Sequence, residues 1–334
     1  MRFVYVHLGP YWPRWLLPNC LDQHQTLGRE VVIVSDNQRL LKEATSLRLD
    51  TWEYRASPLE RTVDVGNASL SDFRSGFWVE TSRRFVALRD FQEDLKEPMV
   101  HVESDVVLFP SLELNGFERL DKGLAFPLVA DDIGIASVLY SREARDMNNL
   151  VQSMLTSQKL HGAVNDMQML GLLSSEREDS VSVLPTITPS REWVEETTVD
   201  SLLVKMSSNY SHFGGIFDAA TIGQYLTGLD SRNYRGQRRI FTIPADHTLD
   251  PSKMRFQLFG DQLMVADGFN NVEIPVHCLH VHSKDLRVFT TRERTALLEE
   301  RMRLHSGSER IEFDAWGLVR SLGDSLRYRW KRAW

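Results

Sequence analysis

The sequence predicts an α/β domain: a mostly parallel, Rossmann-like central sheet flanked by helices, with a C-terminal helical tail. Two observations carry this. Short apolar runs rich in β-branched residues, "FVYVHL", "VVIVSDN" and "MVHVESDVVLFP", read as strands buried on both faces. Segments with helical periodicity lie between them, long enough to serve as crossovers, so the chain opens with βαβ units.

In order, residues 3–8 form the first strand, ended by Gly9-Pro10, and residues 14–26 a helix. "REVVIVSDN" is the second strand, residues 38–46 a helix and "LDTWEYR" the third strand. From residue 77 to 95 apolar side chains recur at helical spacing (Phe77, Trp78, Phe85, Leu88, Phe91, Leu95), and this helix feeds the strand at 99–109. "GLAFPLV" and "GIASVLYS" are strands, 142–157 a helix, "VNDMQMLGLL" another, and 218–227 a glycine-bounded helix opened by Asp218. "MRFQLFGDQLMVADG" is a hairpin turning at Gly260-Asp261. "VEIPVHCLHVHSKDL" is a strand in which Pro275 marks an edge or a start. The expected division is residues 1–110 as a nucleotide-binding half, 111–288 as an acceptor-binding and catalytic half of the same domain, and 289–334 as a helical extension.

Composition narrows the function classes. The 334 residues are 42% hydrophobic and 25% charged, ordinary for a globular protein, and the formal charge of −7 argues against nucleic acid as partner. Two cysteines make no disulfide framework, and no stretch reaches the roughly 18 apolar residues of a membrane span. A cytoplasmic protein is the expectation.

The run "MVHVESDVVLFP" raises a question of charge. On a strand, Glu103 and Asp105 share a face, where two carboxylates repel and raise each other's pKa unless a cation stands between them. Oxygen ligands suit Mg²⁺ or Mn²⁺, with phosphate oxygens completing the shell. The plainer alternatives are a solvated strand end or acids paired to arginines.

Residues 83–112, "RRFVALRDFQEDLKEPMVHVESDVVLFPSL", resemble the segment of GT-A-fold glycosyltransferases in which an Arg-led helix precedes a strand ending in an acid-x-acid motif. The glycogenin and galactosyltransferase-like branch is similar in order, and this chain departs from it in carrying Glu103 where aspartate is usual. The resemblance implies transfer of a sugar from a nucleotide diphosphate sugar, a UDP-sugar first among them, to a hydroxyl of a carbohydrate or lipid-linked acceptor. It implies Asp105 in direct metal contact, Glu103 acting through water or the sugar, and Arg84 holding the nucleotide sugar. It further implies a metal-binding histidine on a late strand near a lysine that meets the diphosphate. "HCLHVHSKDL" offers His280 and His282, with His282 preferred as nearer the strand's end, and Lys284. Satisfied core histidines, or a zinc site using Cys278, are the competing readings.

His7 and Asp36 terminate the first two strands, where a base and ribose lie if the switch-point rule holds, although Asp36 also suits a helix cap. Asp218, behind Gly214-Gly215, is the first candidate for the catalytic base of an inverting enzyme and Asp166 the second; helix capping explains Asp218 equally well. The rivals are a non-catalytic binding or scaffold protein that kept the fold, and a sugar nucleotidyltransferase, disfavoured because "HLGPYWPRW" lacks repeated glycines. The tail "SLGDSLRYRWKRAW" suits either a peripheral contact with the inner face of a membrane or, slightly preferred, a docked helix with solvated charges.

Overall fold

The computed structural model describes residues 1–59, 77–161, 165–177, 179–190, 192–194, 198–230, 240–244, 246–266 and 272–306. The basic-aromatic tail, and with it the expected membrane contact, lies outside the described residues. Strands β1 (Arg2–His7), β2 (Val31–Ser35), β3 (Asp50–Glu53) and β4 (Met99–Val102) alternate with helices α1 (Leu16–Leu27), α2 (Gln38–Ser46) and α3 (Phe77–Leu95). β5 (Val106–Leu108), β6 (Leu124–Ala130), β7 (Ile133–Gly134) and β8 (Val138–Ser141) follow, then α4 (Ala144–His161), α5 (Asp166–Glu176) and β9 (Val181–Leu184). The rest comprises α6 (Asp200–Ser207), α7 (Thr221–Thr227), β10 (Arg255–Phe259), β11 (Gln262–Ala266), β12 (Glu273–Pro275), β13 (Cys278–His280) and α8 (Thr291–His305).

The main sheet runs β3-β2-β1-β4-β8-β6-β7, with β9 paired to β6. β3, β2, β1 and β4 are mutually parallel, and β8 enters antiparallel between β4 and β6. The expected α/β architecture, a mostly parallel sheet covered by helices, is therefore present. Alternation along the strands explains the two-sided core. Val4, Val32 and Val34 face the layer holding Phe85 and Leu88 of α3, whereas Phe3, Tyr5, Val31 and Ile33 face Leu16 and Cys20 of α1 and Leu40 of α2. Each such side chain contributes about 1.5–3 kcal/mol on burial. Among the described residues no helix is long and apolar enough to cross a membrane.

Two expected strands are broken. Residues 99–109 form β4 and β5 separated by Glu103-Ser104-Asp105, where Val106 N donates to Glu103 O at 3.0 Å in a turn. β5 leaves the main sheet to pair antiparallel with β13. Residues 272–286 likewise split into β12 and β13: Val276 N still donates to Leu263 O of β11 at 3.0 Å, and His277 N then turns to Ile216 O at 2.8 Å before β13 takes up its pairing with β5. The helix expected from Asp218 begins at Thr221. Because β2 and β4 flank β1 on opposite sides, the strand order reverses beside β1, and its carboxyl edge there is the crevice where open α/β sheets bind ligands.

Candidate metal and diphosphate site

The turn after β4 sits on that carboxyl edge. One ligand atom each from Glu103, Asp105 and His280 lies within 4.8 Å of the others. The acids come from the turn and the imidazole from the end of β13, so the β5–β13 ladder sets their separation, extended by Val281 N donating to Asp105 O at 2.8 Å. His280 Nδ1 lies 2.7 Å from the Ala219 carbonyl and is thereby the protonated nitrogen, which leaves the Nε2 lone pair for a cation. That Nε2 stands 3.5 Å from a carboxylate oxygen of Glu103 and of Asp105. Two carboxylates and a tautomer-fixed imidazole are a donor set that fits Mn²⁺ or Mg²⁺.

Two fixed cations border the cluster. Arg84, on α3, reaches Glu103 with one terminal nitrogen and Asp166 with the other, at 2.9 Å to the latter. Lys284 pairs with Asp105, and its ammonium lies 5.7 Å from the centroid of the Trp15 ring. Burial works to raise the Glu103 carboxyl, but Arg84 and then His280 outweigh it and hold the pKa down to about 2. Asp166 goes the other way, to about 6, because burial outweighs Arg84. At neutral pH three carboxylates face two permanent cations, and a divalent ion would turn the balance positive, the sign a diphosphate requires.

Asp218 lies behind the cluster rather than in it. It is 1% exposed, and its two oxygens accept from Ile222 N, Gly223 N and His280 N at 2.8–2.9 Å. A carboxylate so enclosed does not meet an acceptor hydroxyl, so its geometry fits a tie between α7 and β13 and departs from the role of base expected for it. Gly223 permits the tie, since a Cβ there would stand 2.0 Å from His280 O. Burial pushes the Asp218 pKa up to about 6 against those donors. A group whose folded pKa is raised favours the folded state while protonated, so its contribution is full below the ordinary carboxylate range and fades as pH rises to about 6. Glu103 has the opposite sign and loses its contribution as pH falls from about 4.5 towards 2. Asp166 and Asp218 therefore each lose up to about 3 kcal/mol between pH 4 and 7, but the buried histidines work the other way. Burial lowers His101 to about 3 and His247 and His277 to about 4, so each adds stability as pH rises from 4 towards 6.5, and on balance stability should rise over that range. Calorimetric Tm of Asp166→Asn against the wild type checks the carboxylate's share: the variant should gain on the wild type as pH rises from 4 to 6, and a difference that does not change with pH would contradict it.

The other sequence-stated positions fall as follows. The His282 ring lies 4.4 Å from that of His280, tilted by 46°, and Gln224 Nε2 lies 3.3 Å from its Nε2; it is not one of the three clustered ligands. Burial, then the neighbouring His280, lowers its pKa well below the ordinary value. His7 and Asp36 lie on the same carboxyl edge. Asp36 accepts from Gly9 N at 2.8 Å, tying the loop after β1, while Asn37 rather than Asp36 caps α2. Cys278 contacts the Asp218 carbonyl, outside the cluster. Residues that the sequence reading did not single out include Asn19 and Trp15 of the α1 region, His247, which meets Thr221 Oγ1 at 2.7 Å, and His101. His101 lies inside β4 and donates from Nδ1 to Val4 O at 2.9 Å, and burial drives its pKa to about 3. The readable signal for Asn19 was a polar residue with Gln23 one turn on, in a face otherwise made of Leu16 and Cys20.

No protein-family model and no curated protein matches the chain. Solved structures similar to it include glycosyltransferases. An active-site mutant of the galactosyltransferase LgtC is 12% identical with a TM-score of 0.40, over 62% of this chain and 82% of that one. GlyE of Streptococcus pneumoniae is 16% identical at 0.37, over 55% and 44%, and mouse xyloside xylosyltransferase 1 is 10% identical at 0.36, over 55% and 84%. Likeness of this size assigns no residue a role in this chain.

Proposed function

We propose that the protein is a glycosyltransferase of the GT-A type that moves a sugar from a nucleotide diphosphate sugar to an acceptor hydroxyl. The observation that carries the reading is the convergence of Glu103, Asp105 and His280 at the carboxyl edge, with Arg84 and Lys284 at its rim. Asp105, His280 and Glu103 would hold a divalent ion, which supplies Lewis-acid charge to the diphosphate as it leaves. Lys284 exchanges its partner Asp105 for a phosphate oxygen, a charge-assisted contact that strengthens as the leaving group gains charge. Arg84 keeps Glu103 ionised and fixes its direction. Asp166, held by Arg84 and by Met167 N at 3.0 Å, is set at the start of a helix, and of the two candidate acids it is the one joined through Arg84 to Glu103, which supports it over Asp218 as the acid nearer the bound donor.

A second reading has its own observation. Arg84 on Glu103 and Lys284 on Asp105 already neutralise both acids, which suits a binding protein that needs no metal. Thermal-shift measurement with UDP, GDP, CDP and TDP, with and without Mn²⁺, separates the two. The enzyme reading expects one diphosphate to raise Tm by several degrees only when Mn²⁺ is present, together with metal-stimulated hydrolysis of the matching nucleotide sugar. Equal stabilisation with and without the ion, and no hydrolysis across the donor panel, would favour the binding protein.

A further inference from the structure

α1 places two amides, Asn19 and Gln23, one turn apart on its buried face, both with no exposed surface. A buried amide is costly unless its donors find acceptors. Asn19 Nδ2 donates to Val106 O at 2.7 Å and to Ser104 O at 3.2 Å, and Gln23 Nε2 lies 3.4 Å from Leu108 O. Arg29 continues the series with Phe109 O at 2.9 Å. β5 pairs with β13 along one edge, so these side chains stand along the other, where a neighbouring strand would donate. Among the described residues Asn19 Oδ1 meets no donor, although an apolar residue of the same size would bury no idle oxygen. What the position uses is therefore the pair of donors.

We infer that Asn19 is a positioning residue that fixes the Glu103-Ser104-Asp105 turn from below, and through it the placement of the two carboxylates. The consequence for metal binding rests on the reading of that turn as a metal site. Asn19 alone in the series reaches the carbonyl of Ser104, between the acids. The start of the same helix adds to the hold: Trp15 Nε1 lies 3.4 Å from Ser104 Oγ, and the Trp15 ring stacks on Phe289 at 5.9 Å.

The test compares Asn19→Leu with Gln23→Leu in the full chain, since Gln23 serves the same strand without touching the turn. Amide exchange of residues 103–106 should accelerate at least tenfold in Asn19→Leu and stay near wild type in Gln23→Leu. Mn²⁺ affinity, read by electron paramagnetic resonance in the presence of UDP, should weaken by about 10–100-fold in the first and under threefold in the second. Unchanged exchange in Asn19→Leu, or equal effects of the two substitutions on both readouts, would overturn the inference. Should Asn19→Leu not fold, Asn19→Ser is measured with the same readouts and the same directions expected. A wild-type protein that binds no Mn²⁺ would remove the metal reading alone, and the exchange comparison would still decide whether Asn19 holds the turn.

Discussion

Asp105→Asn should lower metal-stimulated turnover of a nucleotide sugar by about two to three orders of magnitude, leaving the fold in place. The substitution keeps the side-chain shape but removes the charge opposite Lys284 and one of the two acids 3.5 Å from His280. Loss of one preorganised electrostatic partner typically costs about 3–4 kcal/mol of transition-state stabilisation. The stability cost should stay modest, because asparagine keeps the shape and its Oδ1 can still accept from the Lys284 ammonium. The backbone contact from Val281 N to Asp105 O does not depend on the side chain. The signature is therefore a fall in kcat and in Mn²⁺ affinity at nearly constant Tm. Full activity in this variant would exclude Asp105 from the chemistry.

Arg84→Ala should have the largest effect on stability, about 3–5 kcal/mol, because one guanidinium serves two acids. Removing it leaves Glu103 and Asp166 with neither charge compensation nor their best donor, and breaking a buried pair costs more than its net worth. For a chain of this length the Tm should fall by some 5–10 °C. The loss should be smaller at pH 5 than at pH 7, since protonation relieves the stranded carboxylates once Arg84 no longer holds Glu103 near 2. Asp166→Asn in the Arg84→Ala background should recover part of it, giving a coupling of about 1–3 kcal/mol in a double-mutant cycle. Arg84→Lys should rescue poorly, because an ammonium does not supply the planar fork that spans the two acids. Additive effects of Arg84→Ala and Asp166→Asn would show that the bridge is not an energetic unit.

Periodicity made the regular elements legible. The helix expected over 77–95 is α3, and 38–46 is α2, because each carries an apolar face at helical spacing with polar residues opposite. The acid-x-acid run at a strand end and the His-Lys cluster about 175 residues later stood out by residue type alone. Their meeting did not, since it depends on β5 leaving the main sheet to pair with β13, a long-range choice that local pattern does not encode. Strand alternation placed Glu103 and Asp105 on one face, whereas a turn brings them together. His280 rather than His282 joins the acids because β13 ends at His280, and the chain then bends towards Lys284, whose φ of 54° is left-handed. Asp218 read as a base because the resemblance to GT-A-fold glycosyltransferases implies an acid behind a Gly-Gly loop beside the acceptor, whereas its place at a helix start pointed equally to a cap. Its burial against three backbone donors, set by the close approach at Gly223, is tertiary information.

The most direct test is anomalous diffraction at the manganese edge from crystals grown with Mn²⁺ and a nucleoside diphosphate. The account predicts a single strong peak bound by Asp105 and His280, with Glu103 in the same shell or one water away and the Lys284 ammonium moved from Asp105 onto a phosphate. Density for the nucleotide with no peak there, Arg84 and Lys284 still closed on the two acids, would contradict it.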